Sequence, residues 1–298
     1  MSTLVIGGSG LVGFEFYRQN HDKNWHFTYR SKKMKGFIQL DAGDAEAANS
    51  LISELKPEVV IVPAAMPHVN RCETEPELAW EQNVGILKNV LEPMKALDKS
   101  KIVFFSTDYL FDGKDGPYPE DAPTNPMNEY GRIKLACEKE IQASGVEHII
   151  ARTTGIFGWE YQRKNFFYRL FDTLTAGKEL VVPDDQYANP TYVKDLASAI
   201  NSLLEKGESG VFNVSGPDYL NRLQLSNKMA DAFGLDKSLI IGKPTTFFKT
   251  IAPRPLKAGF VLDKLFSLGI RMRGVEESLE DMKARKEEDD RYPVPEGA

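Results

Sequence analysis

Short apolar runs alternate with amphipathic segments through the first half of the chain. The apolar runs predict strands at residues 4–6, 25–30, 37–40, 59–63, 101–106 and 146–152. Apolar residues recur at helical spacing in residues 11–19, 45–55, 76–97 and 126–144, and Asn125 and Gly145 are the expected caps of the last helix. This alternation predicts an α/β fold in which helices cover both faces of a doubly wound parallel sheet.

The pattern becomes irregular after residue 152. Further helices are predicted near residues 165–176, 193–205 and 222–233, with a strand at residues 210–214. We therefore predict a sheet domain over residues 1–152, to which part of the middle of the chain returns, and a smaller α/β cap over residues 153–282. Residues 283–298 are rich in charge and poor in large apolar side chains, which predicts a flexible tail.

Composition and charge narrow the range of partners. The 298 residues carry a net charge of −6, which argues against nucleic acid because phosphate neutralisation requires clustered Lys and Arg. The two cysteines predict no disulfide framework, so a reducing, cytoplasmic location is expected. No apolar run reaches the roughly 20 residues that span a bilayer, so no membrane contact is expected. The four scattered histidines match no metal motif, and no metal is expected.

A glycine-rich loop follows the first predicted strand. The sequence "GGSGLVG" places Gly7, Gly10 and Gly13 in the pattern G-x-x-G-x-x-G. Glycine suits a turn with positive φ, a close approach to a pyrophosphate and tight packing of a helix on the strand. Such a triplet is often only a flexible turn. Here it stands between a strand and a helix whose N-terminal N–H groups can face phosphates, so it predicts dinucleotide binding.

A tyrosine and a lysine stand four positions apart in "NEYGRIK". On a helix Tyr130 and Lys134 share one face, so their polar groups can meet in one pocket. Alone, this spacing most often reflects a half-buried ring beside a solvated charge. Together with the glycine pattern, it resembles the extended short-chain dehydrogenase/reductase family, which combines G-x-x-G-x-x-G with Y-x-x-x-K. The resemblance implies that residues 1–152 form an NADP-binding domain of the Rossmann type.

The resemblance also implies where the cofactor is bound. After the second strand, Arg30, Lys32 and Lys33 occupy the place where an NAD-selective site usually carries an acidic residue. These cations suit a 2′-phosphate, so NADP(H) is favoured and NAD(H) is the alternative. The other implied contacts are Ser9, Leu11 and Val12 in the glycine loop, Asp41 and Ala42 after the third strand, and Ala64, Ala65 and Met66 after the fourth.

Catalysis is implied for residues at the end of the fifth strand and on the following helix. Thr107 and Asp108 stand at the sheet edge where ligands bind. In the family's reaction Tyr130 protonates the oxygen of a substrate carbonyl, Lys134 holds the nicotinamide ribose, and Thr107 hydrogen-bonds the same oxygen. We further expect the Lys134 ammonium to lower the pKa of Tyr130 from its ordinary value near 10. Asp108 and Asn165 are expected to contact the substrate.

Within that family, the segment "STDYLFDG" resembles dTDP-4-dehydrorhamnose reductases and has Tyr109 where sugar-nucleotide dehydratases have glutamate. The agreement continues through "YPEDAPTNPMNEYGRIKLACEKEI", "NFF" and "RPLKAGFVLDKL", and it covers nearly the whole chain. It implies NADPH-dependent reduction of the keto group of a 4-keto-6-deoxy sugar nucleotide. Gly155, where those reductases usually have an aromatic residue, and the segment "DQYANPT" depart from the pattern and leave the particular sugar open.

Two other functions share these motifs. The regulatory β subunit of methionine adenosyltransferase carries a similar segment and the same Tyr–Lys pair, so a non-catalytic, NADP-binding regulatory subunit is an open alternative. A sugar-nucleotide epimerase that recycles its bound cofactor is another. The expected partners are a sugar-nucleotide substrate and, in a homodimer, a second copy of the chain.

Overall fold

A parallel sheet forms the centre of the computed structural model, which describes residues 1–286. The strands are β1 (Thr3–Val5), β2 (Trp25–Tyr29), β3 (Ile38–Gln39), β4 (Val59–Val62), β5 (Lys101–Thr107), β6 (Glu147–Thr153), β7 (Ile156–Phe157), β8 (Leu180–Pro183), β9 (Tyr187–Ala188), β10 (Thr191–Tyr192), β11 (Gly210–Asn213), β12 (Leu220–Asn221) and β13 (Ile240–Lys243). Within the described residues, a seven-stranded sheet has the order β3-β2-β1-β4-β5-β6-β11, with all neighbours parallel. The predicted doubly wound parallel sheet is confirmed.

Helices cover both faces of this sheet. They are α1 (Leu11–Asn20), α2 (Ala45–Leu55), α3 (Val69–Thr74), α4 (Pro76–Trp80), α5 (Ile86–Met94), α6 (Glu129–Ala143), α7 (Phe166–Thr175), α8 (Val193–Glu205), α9 (Arg222–Phe233), α10 (Asp263–Ser267) and α11 (Val275–Ala284). A π-helical turn, Glu81–Gly85, joins α4 to α5, so the single helix predicted over residues 76–97 contains a wider turn in its middle.

Two apolar layers hold the helices against the sheet. Because side chains of a strand alternate between its faces, Leu4 and Val5 belong to different layers. The layer that contains Leu4 includes buried residues of α2, α5 and α6, whereas the layer that contains Val5 includes residues of α1 and α8. The near-continuous apolar runs β4 and β5 are therefore buried on both faces, as parallel strands require.

The strand order reverses between β1 and β4, because the chain continues from β1 to one side and from β4 to the other. In open sheets of this kind, ligands bind at such a reversal, beyond the carboxyl ends of the strands. The glycine loop follows β1, and Ala64 to Met66 follow β4. Both segments predicted to hold the cofactor therefore lie at the same edge of the sheet.

Helix α6 begins later than predicted. Asn128, not Asn125, is its cap, with Asn128 Oδ1 accepting a hydrogen bond from Gly131 N at 2.9 Å. The Asn125 amide instead donates to Asp112 Oδ2 at 3.1 Å, so it is engaged in the preceding loop. The other end agrees with the prediction, because Gly145 follows the helix with a φ of +76°.

The cap has its own core. Residues of α7, α9 and α11 pack around β8, with Phe167, Met229 and Leu279 among the buried members. The chain then returns to the main sheet, because β11 pairs with β6. Helix α11 extends to Ala284, two residues into the segment predicted as a tail, and residues 287–298 of that segment lie outside the described part of the chain. Within residues 1–286, no helix is both long and apolar enough to span a bilayer.

Candidate active site

The glycine loop packs closely on its surroundings. Gly7 has a φ of +96°, and a β-carbon there would lie 3.0 Å from that of Ala64. At Gly13 a β-carbon would lie 2.2 Å from the carbonyl oxygen of Gly7, so α1 can approach the loop only with glycine at this position. Gly10 is different: the nearest atom to its added β-carbon would be 3.5 Å away, and no side chain caps the helix that it begins. The N-terminal N–H groups of α1 therefore have no side-chain acceptor within the helix cap.

The other predicted cofactor residues surround this loop. Thr28 Oγ1, near the end of β2, accepts a hydrogen bond from Gly7 N at 3.0 Å. Arg30 and Lys33 are exposed just beyond that strand. The Asp41 carboxylate accepts a hydrogen bond from Gly43 N at 3.0 Å, and the carbonyl of Ala42 accepts one from Asn89 at 3.1 Å. The structure thus brings the ends of β1, β2, β3 and β4 together, as the motif spacing predicts.

The cap also contacts the glycine loop. Gln162 Nε2 donates a hydrogen bond to the carbonyl oxygen of Ser9 at 2.9 Å and another to the Tyr161 hydroxyl at 2.7 Å. The Tyr161 ring meets the ring of Phe14, on α1, edge to face with 6.1 Å between centroids. Leu11 and Val12 pack against the apolar core of the cap. Their side chains are therefore used in the contact between the two parts of the chain.

Three predicted catalytic residues converge where β5 ends. Thr107 is the last residue of β5, and Tyr130 and Lys134 lie on one face of α6. A side-chain contact joins Tyr130 to Thr107, and Lys134 Nζ lies 6.0 Å from the centre of the Tyr130 ring. Gly131 allows this approach, because a β-carbon there would lie 2.2 Å from the carbonyl oxygen of Tyr109. The close approach of α6 to the Tyr109 carbonyl therefore explains why "NEYGRIK" has a glycine at position 131.

The pKa of Tyr130 is raised, not lowered as the sequence led us to expect. Burial is the main cause, and the Asp108 carboxylate nearby adds to it, because both disfavour the phenolate. Lys134 does not oppose this effect: its ammonium donates to the carbonyl oxygen of Phe105 at 2.9 Å and lies 4.5 Å from the centre of the Phe104 ring. Burial also lowers the pKa of Lys134. The phenol of Tyr130 is therefore protonated at neutral pH, the state that a proton donor needs.

Asp108 is a buried carboxyl group beside this tyrosine. Thr107 Oγ1 donates a hydrogen bond to Asp108 Oδ1 at 3.3 Å, and Thr154 provides a second side-chain hydrogen bond. Burial nevertheless raises the pKa of Asp108 to about 6. Asp108 lines a cleft between the sheet edge and the cap, where a polar ligand would meet it.

The cleft includes residues that the sequence did not single out. They come from the end of β6, from β9 and from the start of α9, and they include Thr154, Tyr187 and Arg222. Arg222 begins α9, where Asn221 and Gln224 form a reciprocal capping pair. The capping pattern could have marked the helix start, but nothing in the sequence indicates that this helix end faces Asp108. Gly155, with a φ of +54°, also lines the cleft.

Asn165 is bonded within the cap, at the start of α7. Its Oδ1 accepts from Phe167 N at 3.1 Å, and its Nδ2 donates to the Gly158 carbonyl at 3.0 Å and to Glu160 Oε2 at 3.1 Å. These bonds cap α7 and hold the preceding loop. A substrate contact for Asn165 stays a prediction. Among residues 1–286, no group of three or more His, Cys, Asp and Glu side chains is arranged to hold a metal ion.

The sheet order, the glycine loop and the Tyr–Lys pair together define an extended short-chain dehydrogenase/reductase. The family model described as "RmlD substrate binding domain" matches residues 1–287. The chain belongs to that family.

Known proteins of different kinds resemble the chain, among them the following three. The methionine adenosyltransferase 2 subunit beta of Rattus norvegicus is 31% identical over 292 residues, covering 93% of this chain and 86% of that protein. A dTDP-4-dehydrorhamnose reductase of Bacillus anthracis, solved in complex with NADP, is 24% identical, with a TM-score of 0.87 over 96% of this chain and 100% of that one. The dTDP-4-dehydrorhamnose reductase of Clostridium acetobutylicum is 27% identical, with a TM-score of 0.86 and the same coverage.

Proposed function

We propose that the protein is an NADPH-dependent reductase that acts on the keto group of a 4-keto-6-deoxy sugar nucleotide. The observation that carries the proposal is the meeting of Thr107, Tyr130 and Lys134 at the end of β5. They lie beside Asp108, a buried carboxyl group that lines the cleft. The similarity to solved dTDP-4-dehydrorhamnose reductases supports this substrate class.

The residues around the glycine loop fit NADP(H). The start of α1 has no side-chain cap, and Gly10 has an open face, so backbone N–H groups are free to receive a pyrophosphate. Arg30 and Lys33 are exposed at the end of β2, where a 2′-phosphate would be recognised. The bound cofactor would supply hydride to the carbonyl carbon of the substrate.

The protein's own residues would manage the proton and the developing charge. Tyr130, neutral because it is buried, would donate its proton to the carbonyl oxygen. Thr107 would stabilise the negative charge that develops on the same oxygen. Lys134, buried under the phenol with one bond to Phe105 O, has further N–H donors for the ribose hydroxyls. Asp108 would accept a hydrogen bond from a sugar hydroxyl.

The proposal is tested with purified protein, NADPH and a dTDP-4-keto-6-deoxy sugar. Stoichiometric loss of NADPH absorbance with formation of the 4-hydroxy product is the expected result. Isomerised substrate without net loss of NADPH would indicate an epimerase instead. Tight NADPH binding with no conversion of any 4-keto sugar nucleotide would remove the reductase proposal.

A regulatory role is the second candidate, and a specific observation favours it. The relative that is 31% identical over 93% of this chain is a methionine adenosyltransferase subunit beta. In that case the protein would bind NADP(H) and associate with a methionine adenosyltransferase catalytic subunit. Co-elution of the two proteins, with a changed rate of the catalytic subunit and no reductase turnover, would support this role.

A further inference from the structure

Arg222 carries a guanidinium group that has no counter-ion among the described residues. Its backbone N–H donates to the carbonyl oxygen of Gln186 at 3.2 Å, and its guanidinium lies 4.5 Å from the centre of the Phe166 ring. Within residues 1–286, no hydrogen bond or ion pair engages that guanidinium. The side chain is partly buried, and it lines the same cleft as Asp108 and Tyr109.

Two other arginines with little exposed surface are paired. Arg152 forms two hydrogen bonds with Glu138, at 3.0 and 2.8 Å, and Arg273 binds both oxygens of Asp195. Pairing is the general rule, because a buried cation without a partner loses its hydration and gains nothing in return. Arg222 departs from that rule at the wall of a cleft, where a ligand could provide the missing anion.

The charges around Arg222 favour a particular orientation of such a ligand. Burial lowers the pKa of Arg222. Asp108 attracts its charge from the sheet side, beyond ion-pair distance, while Arg169 repels it. A second guanidinium, that of Arg254, lies 5.8 Å from the Tyr109 ring centre and has a buried Nη1 without a partner. The cleft thus has an acidic residue, Asp108, on the sheet side and a cationic residue, Arg222, at the start of α9.

We propose that Arg222 anchors the diphosphate of a nucleotide-linked substrate. The planar fork of a guanidinium matches two phosphate oxygens, which makes this the strongest kind of contact available to an arginine. With the diphosphate on Arg222, the sugar extends towards Asp108 and Tyr130, where its hydroxyl and keto groups meet an acceptor and a donor. The proposal rests on the proposed function for the identity of the sugar end, but the anion subsite is testable alone.

The test is isothermal titration of dTDP, UDP, thymidine and inorganic pyrophosphate into the full chain. The variants are Arg222→Gln, Arg222→Lys and, as a matched control, Arg169→Gln, which removes a nearby charge from an exposed side chain outside the cleft. We expect Arg222→Gln to weaken the binding of dTDP or UDP by about 10- to 100-fold, the usual effect of losing a hydrogen bond to a charged group. Arg222→Lys should retain part of the affinity, and Arg169→Gln should change it less than about threefold.

Thymidine and NADPH provide the internal checks. Thymidine has no phosphate, so its weak binding should not change, and NADPH affinity, measured by fluorescence, should be the same in all variants. The proposal would be overturned if Arg222→Gln bound dTDP and UDP with the same affinity as the wild type. It would also be overturned if the wild type bound none of dTDP, UDP and pyrophosphate. An equal loss of dTDP or UDP affinity in Arg169→Gln would also overturn the proposal, because a non-specific electrostatic effect of nearby positive charge would then explain the result.

The outcome is distinguishable from that of the proposed function. If Arg222→Gln keeps wild-type turnover and KM, the reductase stands and the anion subsite fails. If Arg222 is required for dTDP or UDP binding but no 4-keto sugar nucleotide is reduced, the subsite stands and the reductase fails.

Discussion

The α-carbon of Gly131 lies directly against the carbonyl oxygen of Tyr109, where a β-carbon would be 2.2 Å from that oxygen. This contact brings the first turn of α6 onto the end of β5 and so sets the distance between Tyr130 and Thr107. We expect Gly131→Ala to displace α6, to reduce stability by about 1–3 kcal/mol and to lower turnover by about 100-fold. Thermal unfolding and steady-state kinetics measure the two effects.

Gly85 provides the matched control for Gly131. It is also helical, but the nearest atom to its added β-carbon would be Glu81 Cγ at 3.8 Å, an ordinary contact. Gly85→Ala should therefore be neutral or stabilising by up to about 1 kcal/mol, with unchanged turnover. If both variants behave alike, the close approach at Tyr109 does not position Tyr130 against Thr107.

Removal of the Tyr130 hydroxyl should separate chemistry from binding. We expect Tyr130→Phe to lower turnover by roughly 10²–10⁴-fold, the usual contribution of a positioned proton donor, with NADPH affinity nearly unchanged. Thr107→Val should also reduce turnover without weakening NADPH binding, because Thr107 would contact only the substrate oxygen. Full activity of Tyr130→Phe on the true substrate would rule out the assigned role.

Cofactor preference should depend on Arg30. Because only NADPH presents a 2′-phosphate, Arg30→Ala should weaken the affinity for NADPH by about 10- to 100-fold and leave the affinity for NADH almost unchanged. Fluorescence titration of both cofactors measures this difference. Lys178→Ala, which removes an exposed lysine after α7, is the control for net charge. Equal affinity of the unmodified protein for NADPH and NADH would contradict the predicted selectivity.

The buried carboxyl of Asp108 should make stability depend on pH. Burial raises its pKa to about 6, from about 4 in the unfolded chain, so the folded state binds more protons between these values. The stabilising contribution is therefore present below about pH 4 and is lost as the pH rises to about 6. Relative to Asp108→Asn, which cannot titrate, the wild type should lose about 3 kcal/mol across this window in urea unfolding.

Asp112 is the control of opposite sign. Although burial raises its pKa, hydrogen bonds from Lys114 N, Asn125 and Tyr118 outweigh that effect and lower it. Its contribution is lost as the pH falls, so the wild type should not lose stability relative to Asp112→Asn between pH 4 and pH 6. If the stability of the wild type fell similarly relative to both variants, the pH dependence would not come from Asp108.

Sequence spacing was sufficient for the parts of the site that lie on one loop or one helix face. Gly7, Gly10 and Gly13 form the predicted loop, and Tyr130 and Lys134 share the predicted face of α6. Spacing could not predict Arg222, because its place opposite Asp108 depends on how the cap folds back over the sheet. It also could not predict the direction of the Tyr130 pKa shift, which depends on burial and on the bond from Lys134 to Phe105 O.

The pairing of β11 with β6 has a consequence for exchanging parts between related proteins. The chain leaves the sheet after β6, builds much of the cap and comes back as β11, so the cap is joined to the sheet at more than one point. A fragment that stops after β6 would expose the backbone of that strand as an open edge, which invites aggregation. A transplanted cap would therefore need β11 and both of its junctions. Substrate range in such a chimera cannot be changed by replacing a single C-terminal block.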